Sequence, residues 1–536
     1  ALTDPVTIDG YANGMGTPNS LPSIRGTNAV LGIELNLAGA DFLDVRGGSS
    51  TIRGLIINRS QSAGIKLSIL GGNHVEGNFL GTDPTGMTAG PGNETGVLVV
   101  SNDNVIGGPA PAQRNLISGN GVDGVGIGSG TAGSPASNNA LFTRVENNLI
   151  GTDALGTSPI ATQAVGVAIV MDPTGVAGRA STIGGLAHGS GNVISGNTQY
   201  GVTLQGGSPG GPSGDNEILG NRIGVSPTGD SLLSNGNGVW LLDSNTGNLL
   251  DGNQISSNTG RGVVVDTSAN TLRRNLIGLQ GDGFLPAGNG NDGVSVNASN
   301  NLIQDNTIGW NGGAGVSVGA TDPTTSGVAI FANRMRSNTL EGIELVGGAN
   351  GSPVAPGLTT DTISAHTLAI SGQLTGVTPG AEYRIDLFSS LLCDPTGGGE
   401  GFTPLAAFIV GAAAAGDAGF FPAGLPIPTG QGVITATATR QFLGHTSRYS
   451  VCFPATGMQA DNTPVAVSDT FTATVDVPLH VGAPGILLND SDPDGDPISA
   501  LLVSPPASGS LELFADGSFD YTPPPGFVGT EFFAYR

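Results

Sequence analysis

Cysteine, lysine and aromatic residues are all scarce in this chain, and each scarcity excludes something. The two cysteines, Cys393 and Cys452, both lie in the C-terminal third. Neither a disulfide-dense small scaffold nor a thiolate zinc centre can therefore carry the fold. Lys66 is the only lysine, and 18 basic residues against 42 acidic ones leave a net charge of −24. Phosphate backbones and anionic membranes are held by clustered Lys and Arg, so no nucleic-acid partner is expected. Polyanionic sugars are disfavoured too, unless calcium bridges the carboxylates. Aromatics make up 5% of the 536 residues, which leaves aliphatic side chains to build any core. The apolar stretch from Leu405 to Gly416 falls short of the roughly 20 residues that span a bilayer. It reads as strand and turn, and no membrane insertion is expected.

What the chain does have is glycine, 91 of them, and short aliphatic runs that bring the hydrophobic fraction to 38%. Glycine-rich chains poor in aromatics are often disordered. Here the Val, Ile and Leu residues recur too regularly for that. One unit is Gly followed by alternating aliphatics: Gly64-Ile65-Lys66-Leu67, Gly96-Val97-Leu98-Val99, Gly201-Val202-Thr203-Leu204, Gly262-Val263-Val264-Val265 and Gly342-Ile343-Glu344-Leu345 among others. A second is Asn-x-Ile-x-x-Asn, as at 115–120, 192–197 and 253–258. A third opens longer loops: Asn78-Phe79-Leu80-Gly81-Thr82-Asp83, Asn148-Leu149-Ile150-Gly151-Thr152-Asp153 and Asn221-Arg222-Ile223-Gly224. Spacing of the first unit is on a solenoid scale, and each strand is too short for a sandwich. Stacked coil on coil, such strands bury one aliphatic column. Asn at the corners is expected because it tolerates left-handed φ and can hydrogen-bond along the stack.

These motifs, above all 78–86 and 115–120, resemble the right-handed parallel β-helix repeats of large exported bacterial surface proteins. The resemblance runs from about Asp4 to Leu345. It implies an all-β chain: a right-handed parallel β-helix (solenoid) over 1–346, followed by two Ig-like β-sandwich domains. Residues 347–360, with Pro353 and Pro356, read as a linker. Over 361–458 the strands lengthen, at Thr367–Ser371, Glu382–Phe388, Gly432–Thr439 and Arg448–Phe453, which resembles an Ig-like sandwich. A Cys393–Cys452 disulfide is expected there. Residues 459–536 resemble the cadherin-like domains of bacterial adhesins, on Leu488-Asn489-Asp490-Ser491-Asp492-Pro493-Asp494-Gly495-Asp496-Pro497 and Gly517-Ser518-Phe519-Asp520-Tyr521. The acidic turn points to structural calcium held by Asp490, Asp492, Asp494 and Asp496. Such domains finish with a further strand after Phe532-Phe533-Ala534-Tyr535-Arg536. Two readings stay open: the chain is part of something longer, or a strand from another molecule completes the sheet. At the other end, Ala1 follows either a cleaved leader or an upstream segment.

Catalytic constellations are weak. The Asn-Thr-Asp, Asp-Asp and Gly-His-Gly signatures of polygalacturonases are absent. Asp251, Asp266, Asp292 and Asp305 fall in successive coils and are the best carboxylates for a hydrolase, although turn-forming Asp serves a solenoid equally well. Arg273 and Arg274 read as a surface ion pair with Asp266 or Asp282, and Lys66 as an outward solvated cation. His74, His188, His366, His445 and His480 show no metal spacing, so zinc is not expected. The Gly-rich stretch 206–214 is loop, and Trp240 and Tyr200 could stack a sugar if they face outward. The sequence thus predicts an extracellular or cell-surface structural or adhesive rod, partnered by copies of itself or by glycans. A polysaccharide lyase or glycoside hydrolase acting on the β-helix face is the alternative.

Overall fold

The computed structural model describes residues 1–128, 140–160, 162–171, 178–206, 214–243, 246–364, 367–393, 399–413, 416–422, 425–426, 432–454, 464–493 and 498–536. Up to Leu345 the chain winds through three parallel sheets, each with 11 strands in sequence order. The first sheet runs from Thr7–Asp9 to Ala329–Phe331, the second from Ile33–Asn36 to Arg334–Arg336, and the third from Leu43–Val45 to Ile343–Leu345. Strands range from two residues (Phe79–Leu80) to seven (Val165–Met171). Their inward side chains form one column in each of the first two sheets, with Ile52, Val75 and Ile106 above one another, then Leu80, Ile117 and Ile150. The third sheet contributes two columns, as at Ile65 and Leu67, Val97 and Val99. All of these have no exposed surface, and each contributes roughly 1.5–3 kcal/mol of burial.

At the corner between the first and second sheets, each Asn side-chain amide donates to the Oδ1 of the Asn one coil on. The ladder runs Asn78, Asn115, Asn148, Asn192, Asn221, Asn253, Asn275, Asn306, Asn333 at 2.9–3.1 Å. A second ladder, between the second and third sheets, runs from Asn93 through Asn120, Gln163 and Asn197 to Asn338. Hydrogen bonding along the stack is therefore as expected, but the left-handed conformation is not. It falls one residue earlier, at Gly77, Asn147, Gly220, Gly252, Arg274, Asp305 and Ala332. The ladder Asn must aim its amide down the axis, and its predecessor makes the bend.

The Gly-Thr-Asp loops cover the second sheet. Asp83 Oδ1 accepts the backbone N–H groups of Met87 and Thr88, and Asp153 Oδ1 those of Thr157 and Ser158, closing each loop on itself. Buried Arg114 pins the segment 21–26 to the same side, donating to carbonyls of Pro22, Arg25 and Gly26. Burial brings its guanidinium down to about 10.

Beyond the solenoid, two antiparallel sheets pack over Leu368, Ile370, Ile385, Leu387, Ile434 and Ala436. One contains Gly357–Ser364, Thr367–Leu374, Ala418–Phe420 and Leu425–Pro426; the other Thr403–Gly411, Glu382–Ser390, Val433–Arg440 and Phe453–Pro454. The first of these strands begins inside the stretch read as linker. The expected strand over Arg448–Phe453 is reduced to Phe453–Pro454, because Ser447 and Ser450 hydroxyls accept the N–H groups of Ala438 and Ala436 in place of backbone carbonyls. Cys393 and Cys452 are bridged. Residues 464–536 add a sheet of Leu479–Val481, Phe519–Thr522 and Ser510–Leu513, plus the pair Leu502–Ser504 with Ala534–Tyr535.

Candidate functional site

The outer face of the third sheet carries an aromatic platform. Val239 and Leu241 point into the core without exposure, so the alternation sends Trp240 outward. Its ring lies 4.9 Å from that of Tyr200 on the preceding coil, tilted by 32°. Trp240 Nε1 donates to Asp266 Oδ2 at 2.7 Å, and Asn297 Nδ2 donates to Asp266 Oδ1 at 2.8 Å. The indole is thus fixed by a carboxylate one coil on, itself fixed by an amide from the coil after. Burial, then the Asp266 charge, raises the Tyr200 hydroxyl above its ordinary value. In register with Trp240 stand Thr203, Ala168 and Gly126 on one side and Val264, Ser295 and Ser317 on the other. Most of these small residues are buried, so the half-buried rings of Trp240 and Tyr200 are the raised stacking surface of the row.

The four candidate carboxylates do not meet. Asp251 is fully buried and accepts from Arg273 Nε at 2.9 Å and Arg274 Nε at 2.7 Å. Burial raises its pKa, but the two guanidinium groups together hold it below the ordinary value. Both arginines therefore pair with Asp251, not with Asp266 or Asp282; Asp282 instead accepts the N–H groups of Phe284 and Leu285 in its loop. Asp305 reaches the same corner as Asp251, in the left-handed position beside Arg274. Asp292 lies at the other edge of the third sheet from Asp266, accepting from Arg261 Nε at 3.3 Å and from the Ala314 N–H. Lys66 does face outward, but over the Phe42 ring at 4.6 Å.

In the acidic turn, Asp490 Oδ1 accepts the Val467 N–H at 2.6 Å and the Tyr535 hydroxyl at 3.3 Å. Asp492 is half-buried, while Asp494 and Asp496 lie outside the described residues, as do His366 and most of the loop 206–214. A residue with no sequence signal is Asp123, at the entry of a third-sheet strand. Burial, reinforced by the Glu94 charge, pushes its carboxyl up to about 6.

Residues 175–356 match the right-handed β-helix region family, and residues 461–536 the bacterial cadherin-like domain. The chain thus joins a right-handed β-helix to a bacterial cadherin-like domain through an antiparallel sandwich. Among solved structures it is similar to full-length tailspike protein 2 from Escherichia coli O157:H7 bacteriophage CAB120, at 10% identity and a TM-score of 0.24. That alignment covers 79% of this chain and spans 65% of the tailspike. It is also similar to tailspike gp49 from Acinetobacter baumannii bacteriophage Fri1, a capsular polysaccharide depolymerase, at 10% identity and a TM-score of 0.23, covering 84% of this chain and 83% of that one. Likeness at that level says nothing about activity. No curated protein matches the chain.

Proposed function

We propose that this is an extracellular adhesive or structural surface protein that binds glycan chains along the third sheet of its β-helix. The observation that carries the reading is the Trp240–Tyr200 pair, held outward by Asp266 in a strip of small side chains. A pyranose stacks its C–H face on such an indole, while Asp266 and Asn297 are polar partners for its hydroxyls. A net charge of −24 favours neutral over polyanionic sugars. The disulfide and the cadherin-like match support an extracellular setting. Calcium at Asp490, Asp492, Asp494 and Asp496 is the structural cation of this reading, and association with copies of itself is its second partner.

Trp240 is one of two tryptophans, so a Trp310→Phe background leaves it as the sole indole reporter. Titration with neutral and acidic polysaccharides should quench and shift its emission. In the wild-type background, Trp240→Ala should weaken binding measured by calorimetry at least about tenfold, the value of one lost stacking contact. Unchanged affinity in that variant, or no binding by any polysaccharide, sinks the proposal. Negative-stain microscopy with and without a calcium chelator reports on self-association and on the cation together. Asp123 favours a second reading, polysaccharide cleavage, because a carboxyl with a pKa of about 6 is suited to general-acid work. Release of reducing or unsaturated ends, lost in Asp123→Asn, would establish it over simple binding.

A further inference from the structure

The cadherin-like domain presents a row of titratable side chains across its three-stranded sheet. His480, Asp520 and Glu512 are register partners on the strands Leu479–Val481, Phe519–Thr522 and Ser510–Leu513. Their neighbours Leu511 and Phe519 turn the other way, into the domain core. The row faces the β-helix, where His188 projects from the loop between the strands Thr182–Gly184 and Val193–Ile194. His188 Nε2 lies 3.2 Å from Glu512 Oε2 and 3.7 Å from Asp520 Oδ2. Ligand atoms of all three residues fall within 4.8 Å of one another. His480 Nδ1 contacts the other oxygen of Asp520, and the Phe514 ring meets the His188 ring edge to face at 6.2 Å.

Two features call for a cation. Carboxylates directly opposite each other on adjacent strands repel, and Glu512 and Asp520 are such a pair. Glu512 is also only 9% exposed, and its Oε2 accepts no hydrogen bond among the described residues although it points at His188. Burial, then Asp520, raises the Glu512 carboxyl, with His188 and Arg222 pulling the other way. Arg222, on the second sheet, contributes one fixed positive charge felt by Glu512, and one such charge does not cancel both carboxylates.

We propose that His188, Glu512 and Asp520 form a divalent transition-metal site of the zinc type that clasps the cadherin-like domain to the flank of the β-helix. One imidazole nitrogen with two carboxylate oxygens suits zinc; calcium and magnesium take oxygen ligands. Tetrahedral zinc with bonds of 2.0–2.2 Å sets its ligand atoms roughly 3.3–3.6 Å apart, close to the 3.2 and 3.7 Å seen here. His480, bound to the far oxygen of Asp520, orients that ligand from outside the coordination sphere. Water fills the fourth position. Sequence spacing hid the site because its histidine and its carboxylates belong to different domains.

The test is calorimetric titration of the full chain, stripped with chelator and then held in calcium, with zinc chloride. One zinc per chain is expected, with affinity falling at least about tenfold in His188→Ala and in Glu512→Gln. His188 lies on an exposed loop of the β-helix, so its removal leaves the cadherin-like sheet intact. X-ray scattering should show zinc compacting the wild type but not His188→Ala. Absence of zinc binding, or equal affinity in wild type and His188→Ala, overturns the proposal.

Discussion

Gly262 has no room for a methyl group. A Cβ built on it would stand 2.5 Å from the carbonyl oxygen of Gly293, the same repeat position one coil on. The relation repeats from Gly64 to Gly315, each position blocked by the next repeat glycine at 2.4–2.9 Å. These glycines have ordinary negative φ, so close approach of neighbouring coils demands them, not a turn conformation. Gly262→Ala should destabilise by about 1–3 kcal/mol, as overpacking a rigid backbone does. Gly411→Ala is the control, since nothing lies within 4 Å of the added atom and its φ is unstrained. Urea titration of both variants gives the comparison, and equal midpoints would refute the close-approach account.

The end of the solenoid is closed by the sandwich, element against element. Asn338, the last rung of its ladder, donates through both its backbone N–H and its side-chain amide to Glu400 Oε1. Thr446 Oγ1 accepts the Ile330 N–H, and the Tyr449 ring covers Gly342 where a twelfth coil would sit. A repeat array exposes its core at each end, and a capping element of different sequence is the usual remedy. Glu400→Ala leaves two buried donors unpaired, at about 1–3 kcal/mol. Hydrogen exchange should quicken in residues 334–346 and stay unchanged around the third-sheet strand Tyr200–Gly206. Uniform loss of protection along the whole rod would contradict a local cap.

For the whole molecule, the cap ties the redox state of the sandwich to the integrity of the rod. The disulfide closes a loop of 59 residues, which the chain-entropy account values at about 4 kcal/mol. Reduction should therefore lower the melting temperature of the sandwich and also fray the last coil, where Phe388 and Tyr449 join the β-helix core. Exchange measured with and without reductant tests this coupling. A reduced sandwich that melts early while residues 334–346 stay protected would show that the cap does not depend on the bridge.

Much of this was readable in the residues themselves. Period-two alternation, the repeat glycines and the Asn spacing each act over a few residues or one coil, so they determined the β-helix, its inward columns and its ladders. The acidic turn and Gly517–Tyr521 likewise marked the cadherin-like domain. Which side chains meet across coils was another matter. Rungs of a single ladder are separated by 22 residues in one place and 44 in another, because loops of different length leave the stack between strands. Only the folded chain could bring Arg273 and Arg274 to Asp251, Asp266 to Trp240, Glu400 to Asn338, and His188 to Glu512 and Asp520. Local pattern sets the coil; the site arises from adjacency between coils and domains, which no spacing along the chain encodes.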